Sequence, residues 1–374
     1  MAGNTRVKKR RSVARNRVIT VLRQQIAEGK LVPGSRLPIR VELQGQFQVS
    51  HVTLQRAIDN LAQDGFLQSR GRLGTFVADR PPFLNNYALV FPHHPGAGAW
   101  TKLWSAVAHE AVAFEQAQVR RIPIYYDIID GTPNNETYQS LLRDVREHRL
   151  AGLMFASSPH LIEGTPLIQE PGIPRVAMMS TPNNPALKLW NVNIDGQSFV
   201  EMALDYLAKR GRKRLAILAA PGLLATFSDN PAFAANAEAR GMMIRDYWQQ
   251  YVWEGSPICA RNAVDLLMRG TQDGRPDALI IADDNLVESA IAGLMKAGVR
   301  VGEDVDVVAH ANFPLTAMTG QPIRRLGFDV RQVIARCIEA IDRQRAGEAE
   351  PQELMVQAQW EQDVPGATHI LGSI

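Results

Sequence analysis

The chain has 374 residues, 45% of them hydrophobic and 21% charged, enough for two or three domains with apolar cores. Its net charge of +3 hides an asymmetry: residues 1–80 hold fifteen Lys and Arg against five Asp and Glu, while the remainder is net acidic. That division suits a protein that meets phosphate with one end only, and with no run of about 18 apolar residues neither a membrane span nor a membrane partner is expected.

Residues 1–14, with Arg6, Lys8, Lys9, Arg10 and Arg11, read as a flexible basic arm. No apolar stretch follows it, so a secretory signal is not expected and the cytoplasm is the default compartment. Val18, Val21, Leu22 and Ile26 then form the apolar stripe of a first helix, ended by Glu28-Gly29 and Val32-Pro33-Gly34. A short helix is expected around 41–47 and, after a turn, an amphipathic one from Ser50 to about Asp64, with Leu54, Ala57, Ile58 and Leu61 at i, i+3, i+4 and i+7. Ser50 can cap that helix, and Asp64-Gly65 can stop it. Residues 66–69, 70–74 and 75–77 read as strand, basic turn and strand. The segment 15–78 is thus expected to be a winged helix-turn-helix.

Opposite the apolar stripe stand His51, Thr53, Gln55 and Arg56. Thr53, Gln55 and Arg56 are the candidates for base-edge contacts, since Gln matches adenine and Arg matches guanine in the major groove. Arg36, Arg40, Arg70, Arg72 and Thr75 suit the phosphate backbone, which sets register without reading sequence. Ser50, as a cap, also presents backbone N–H groups to a phosphate. For each of these residues taken singly, a solvated surface position is the alternative.

Residues 79–86, with Pro81-Pro82, read as a linker. Strands are then expected over 87–91, 122–127, 152–155, 175–178, 214–218, 278–282 and 305–309. Helices are expected near 100–117, 136–148, 197–209, 233–250, 261–268, 285–297 and 330–347. This alternation predicts an α/β body over 87–362, built of parallel sheets flanked by helices, with ligands at the carboxyl ends of the strands. A C-terminal tail, 363–374, closes the chain. By loop position Trp100, Ser157, Ser158, Phe227 and Asp229 are candidates for a ligand cleft; Trp100 could stack on an apolar sugar face or belong to the core. Cys259 and Cys337 lack metal-ligand spacing and read as free thiols of a reducing compartment. His93-His94 and His310 lack a second ligand at metal spacing, and neither metal nor cofactor is expected.

The string from Gly29 to Pro38, followed by Val49-Ser50-His51-Val52-Thr53-Leu54 and closing on Gly74-Thr75-Phe76-Val77, resembles the GntR-type winged-helix domain. In that family three Arg commonly hold DNA; their positions here correspond to Val41, His51 and Gln55, with Arg40 and Arg56 one place away. The body resembles the two-lobed, periplasmic-binding-protein-like domain of LacI-type repressors. The resemblance rests on Val192-Asn193-Ile194-Asp195-Gly196, the 211–218 string, the 275–284 string and the 297–308 string. This pairing of head and body is that of arabinose-type regulators. It implies a homodimer on a palindromic operator and a small effector between the lobes. An Arg that the family places three residues before a helix Gly corresponds to Glu238, if that Gly is Gly241. Of the other family positions Asp284 is kept, and an Asp falls near Ala311 and Asn312. With Glu238 and Asp284 in the cleft, an amine-bearing ligand or a donor-rich polyol is expected rather than a sugar acid.

The expected function is therefore that of a sequence-specific DNA-binding transcription regulator, a repressor, whose operator grip is set by a small sugar-like or polyol ligand. One alternative is the same regulator with a body that no longer senses. Another is an aminotransferase-like enzyme behind a DNA-binding head, which needs a cofactor Lys in a strand-end loop. The body lysines Lys102, Lys188, Lys209, Lys213 and Lys296 fall mostly in helical surroundings, and no Gly-x-Ser-x-Gly elbow, Walker loop or metal signature occurs. No enzyme is expected.

Overall fold

The computed structural model describes residues 2–117, 120–179, 189–253, 255–270, 274–348 and 350–370, and excludes the side chains of residues 2–11, 117, 224, 225, 317 and 368–370. The head consists of α1 (Ala2–Ala27), α2 (Arg40–Phe47), α3 (His51–Gln63) and an antiparallel wing of β1 (Leu67–Ser69) and β2 (Thr75–Val77). Val18, Leu22 and Ile26 of α1 bury against Leu43 and Phe47 of α2 and against Leu54, Ala57, Ile58 and Leu61 of α3. The stripe read from spacing is thus the stripe that packs. Two segments depart from expectation. The basic arm is helical backbone from Ala2 onward, continuous with α1. The linker contains a helical turn, α4 (Pro82–Asn85), with Pro82 and Asn85 buried, so the chain leaves the head packed rather than loose.

The body begins with β3 (Tyr87–Val90), α5 (Lys102–Ala117), β4 (Ile124–Tyr125), α6 (Glu136–Arg146), β5 (Gly152–Phe155), α7 (Pro166–Gln169), β6 (Arg175–Met178) and β7 (Trp190–Ile194). It continues through α8 (Gly196–Lys209), β8 (Arg214–Ala219), α9 (Pro231–Ala239), β9 (Met243–Tyr251), α10 (Pro257–Met268), β10 (Ala278–Ile281) and α11 (Val287–Lys296). Then follow β11 (Asp306–Phe313), β12 (Leu315–Ala317), β13 (Arg324–Asp329), α12 (Val330–Arg345), β14 (Glu353–Val356), β15 (Gln359–Trp360) and β16 (Thr368–Ile370).

Among the described residues twelve of these strands form two six-stranded sheets, ordered β14-β7-β6-β5-β3-β4 in the first lobe and β15-β13-β11-β10-β8-β9 in the second, while β12 and β16 pair with each other. Every pair is parallel except β13–β15. Central strands such as Tyr87–Val90, Gly152–Phe155 and Ala278–Ile281 are buried on both faces, as helix-covered parallel strands require. Chain order does not respect the lobes: α12 and β14 return to the first lobe, and the chain crosses between lobes at Asp195, at Asp329 and between Val356 and Gln359. These crossings are tied together. Asp195 N–H donates to the Val356 carbonyl at 2.8 Å, and Ala358 N–H donates to Ser198 Oγ at 3.0 Å. Asp195 and Asp329 cap α8 and α12 through Ser198 N–H and Arg331 N–H.

The expected helix over 233–250 is wrong in its second half. Gly241, with φ +72°, stops α9, and residues 243–251 become the edge strand β9 beside β8. There Trp248 is buried and Tyr247 exposed, an alternation that sheet geometry satisfies. The expected C-terminal tail is also partly structured, since Thr368–Ile370 pairs in parallel with Leu315–Ala317; residues 371–374 lie outside the described residues.

Gly327 of β13 faces Ala311 of β11 so closely that a Cβ there would sit 1.8 Å from the Ala311 carbonyl oxygen. Replacing Gly327 with Ala is therefore expected to destabilise the protein by about 3 kcal/mol or more. Urea unfolding of the variant beside the wild type measures this directly.

Candidate nucleic-acid interface and ligand cleft

The reading face is fixed by how α3 starts. Ser50 takes the N-cap position, and Thr53 N–H donates to its Oγ at 3.4 Å. The Thr53 hydroxyl pairs with the same Ser50 Oγ at 3.0 Å, and the residue is only 7% exposed. Thr53 therefore completes the cap from inside, and its expected role as a base-edge contact is withdrawn: its polar atom is spent and its methyl is packed. Gln55 is half-buried and donates to Asp59 at 2.7 Å, while His51 and Arg56 are exposed. Residues four apart share one line of a helix. Val52 and Arg56 run down the line opposite Leu54, Ala57, Ile58 and Leu61. Sequence reading passed over Val52 because it sought hydrogen-bonding groups; rotation away from the core stripe was the signal that locates it.

The wing and the turn before α2 carry the arginines expected to meet phosphate. Arg36 bridges to Phe76, and its guanidinium fills the space beside Gly74, where a Cβ would lie 3.1 Å from Nε. Gly74 also has φ +110°, so both sterics and backbone require glycine there. Arg40 is half-buried and reaches Thr75 Oγ1 at 3.5 Å, while its Nη1 is buried without an acceptor among the described residues. Arg72 stands exposed on the tight turn between the wing strands. Arg70 is partly committed: it pairs with Asp79 at 3.0 Å and lies 4.7 Å over the Phe76 ring.

Behind the reading face the head is keyed to the first lobe by charge. Arg23 of α1 is 5% exposed at its side chain and pairs with Asp64 at 2.9 Å and with Glu147 of the body at 3.0 Å. Arg149 of the body reaches Asp64 at 3.0 Å, Glu147 at 2.8 Å and Asp144 at 3.2 Å. Asp64 is the C-cap of α3, so two arginines hold the far end of that helix. No sequence motif marks this cluster, because its members lie far apart in the chain.

At the carboxyl ends of the strands, Asp284 and Asn312 meet inside the second lobe, with Asn312 Nδ2 donating to Asp284 Oδ2 at 2.7 Å. Burial pushes the Asp284 carboxyl above the ordinary carboxylate range. His310 lies beside them, its ring against Phe199 at 5.6 Å and Phe328 at 5.7 Å, and its buried Nδ1 lacks a partner among the described residues. In the first lobe Trp100 joins Phe91, Trp104 and Tyr126 in an aromatic cluster, and its indole N–H donates to Ser105. Ser157 and Ser158 line a cavity of about 210 Å³ with His93, Trp104 and His160. Across the cleft, Lys102 N–H donates to Asn285 at 3.0 Å and its ammonium pairs with Glu288 at 3.0 Å.

Two expected cleft residues lie elsewhere. Phe227 is buried edge-on against Phe233, at 5.0 Å, and is core. Glu238 is exposed on the last turn of α9, because Gly241 is the glycine that ends this helix, not one within it. A helix that follows a strand starts at the strand's carboxyl end and finishes at the other, so Glu238 points away from the cleft. Asp229 is exposed, just ahead of Asn230, which caps α9, so the start of that helix is what faces the ligand side. Among the described residues no His, Cys, Asp and Glu group is arranged to hold a metal, and no helix is long and apolar enough to cross a membrane.

Residues 14–77 match the bacterial regulatory proteins of the gntR family, and residues 204–360 match the periplasmic binding protein-like domain. The chain is 24% identical over 220 residues to the HTH-type transcriptional repressor PurR of Aliivibrio fischeri (strain MJ11), across 56% of this chain and 64% of that protein, so it spans less than two thirds of that relative's length. Transcriptional regulator LacI from Bacillus cereus subsp. cytotoxis NVH 391-98 superposes with a TM-score of 0.56 at 17% identity, over 74% of this chain and 96% of that one. The transcriptional regulator CelR–cellobiose complex superposes with a TM-score of 0.55 at 18% identity, over 84% and 90%. At these identities the solved structures share the fold. A head that matches the gntR family, residues 14–77, is thus joined to a two-lobed body of the periplasmic-binding-protein-like fold.

Proposed function

We propose that this protein is a cytoplasmic repressor that grips a palindromic operator as a homodimer and yields or tightens that grip when a small neutral ligand, a sugar or polyol, enters between its lobes. The observation that carries the reading is the ionic key between Arg23, Asp64, Glu147 and Arg149. It couples the reading helix to the first lobe, so a ligand that prefers one lobe arrangement re-aims the head. The relative solved with cellobiose supports a sugar-like ligand. So does Asp284, whose carboxyl accepts from a donor-rich ligand as it accepts from Asn312. With Glu238 outside the cleft, the argument for an amine-bearing ligand loses half its basis. At the head, His51, Gln55 and Arg56 are the remaining groups for base edges; Ser50, Arg36, Arg40, Arg70, Arg72 and Thr75 serve the phosphates.

Gel-shift titration of the full chain against genomic fragments is expected to yield a retarded species on a subset of fragments at physiological salt. Arg56→Ala is expected to weaken that species by about 1–3 kcal/mol. Retardation of every fragment alike would reduce the head to non-specific binding.

Asp284 supplies the test of the cleft. Its carboxyl is raised in the fold, so the stability tied to its protonation is full below the ordinary value of 3.8 and is lost as pH rises through the raised one. Asp284→Asn removes that titration. Its melting temperature is expected to fall less than the wild type's between pH 4 and pH 8. Thermal-shift screening of sugars and polyols at pH 7 is expected to find a stabilising ligand for the wild type, and at least a tenfold weaker one for the variant.

A further inference from the structure

The outward line of α3 begins not with a polar residue but with Val52, 57% exposed in the first turn after the Ser50 cap. Beside it, at the start of α2, Val41 is 73% exposed and Ile39 54% exposed. A β-branched side chain in the first turn of an exposed helix gains nothing from helix propensity, and nothing among the described residues covers it. It therefore stands uncovered on the surface that, in a helix-turn-helix, faces base edges with the N-terminal residues of its second helix. In the major groove the apolar group on offer is the C5 methyl of thymine. The stiffness of Val at χ1 makes such a contact cheap in lost rotamers.

We infer that Val52 reads a thymine methyl, so that the operator half-site carries a T·A pair at a fixed offset from the guanine contacted by Arg56. The offset follows from helix geometry. Four residues rise about 6 Å along α3, which spans about two base-pair steps of 3.4 Å. Of the polar residues flanking Val52, Thr53 is turned inward to the cap, and His51 lies about 100° away around the helix from it. This inference rests on the head being a sequence-specific DNA reader, as proposed above.

The test starts from duplexes enriched by the full chain from a random-sequence pool. The best duplex is then remade with deoxyuridine in place of each thymidine in turn, which removes one methyl and leaves every hydrogen-bonding group in place. Binding is read by fluorescence anisotropy at one salt concentration. A single position per half-site is expected to weaken the wild type about fourfold on losing its methyl, the worth of one buried carbon. Val52→Ala is expected to bind the thymidine duplex about fourfold more weakly and to be indifferent to deoxyuridine at that position. Equal binding of all deoxyuridine duplexes overturns the inference, as does a methyl penalty that survives in Val52→Ala; either leaves the regulator reading standing. Failure to enrich any sequence removes the regulator reading, and this inference with it.

Discussion

The constraint on which the architecture depends is the triple crossing of the chain between the lobes. Each lobe is assembled from segments far apart in sequence, so neither sheet is complete until the chain has passed back and forth. The first passage is held to the third by Asp195 N–H on the Val356 carbonyl and Ala358 N–H on Ser198 Oγ, and Gln332, just past the second, donates to Gln359 Oε1 at 3.3 Å. Two of them enter helices whose first turns are capped by the crossing aspartates themselves. Capping fixes where each helix begins, and the cross-links keep the passages in step. Any relative motion of the lobes must pass through these few element-terminal residues, which is where a hinge is expected.

Rotation about a hinge has consequence for DNA only if the head follows a lobe. The Arg23–Asp64–Glu147–Arg149 cluster supplies that coupling, and α4 reinforces it, with Phe83 on the head's core and the Asn85 carbonyl accepting from Arg121 N–H of the body at 2.9 Å. Arg23 is nearly sealed from solvent and also lies 5.2 Å over the Phe66 ring, so its charge is balanced by two carboxylates rather than by water. An ion set of this kind contributes orientation more than net stability, since the desolvation of its members offsets much of the attraction.

The head was legible because its signals are local. Ser50 before an apolar stripe, Asp64-Gly65 after it and the Gly-rich wing turn each act within a few residues, and each landed where spacing put it. In the body, strands buried on both faces announced themselves by apolar runs. Trp190–Ile194, with Asn191 and Asn193, and Arg324–Asp329, opening on two arginines, did not. Some of their polar residues find partners distant in sequence, as Asn193 does in Glu353 and Arg324 in Gln362. Glu238 failed for a related reason. A glycine within a helix and a glycine ending one look alike in a string of letters, and only φ distinguishes them. Thr53 failed because a hydroxyl on a helix's first turn serves equally as cap partner or as base contact. Asp284 and Asn312 were singled out separately, but their bond to each other, formed across 28 positions, was not readable.

The coupling between head and first lobe is ionic, and so is any hold on phosphate. Dissolved electrolyte weakens both: the screening distance shrinks to about 8 Å at 0.15 M and to about 3 Å at 1 M, though the enclosed Arg23 feels this less than the exposed Arg72. Rising ionic strength is therefore expected to release the proposed duplex from the head before it frees the head from the body. Under concentrated-salt conditions the protein is expected to stay internally aligned while unbound, a tool whose handle and blade remain joined after it has lost its grip on the work.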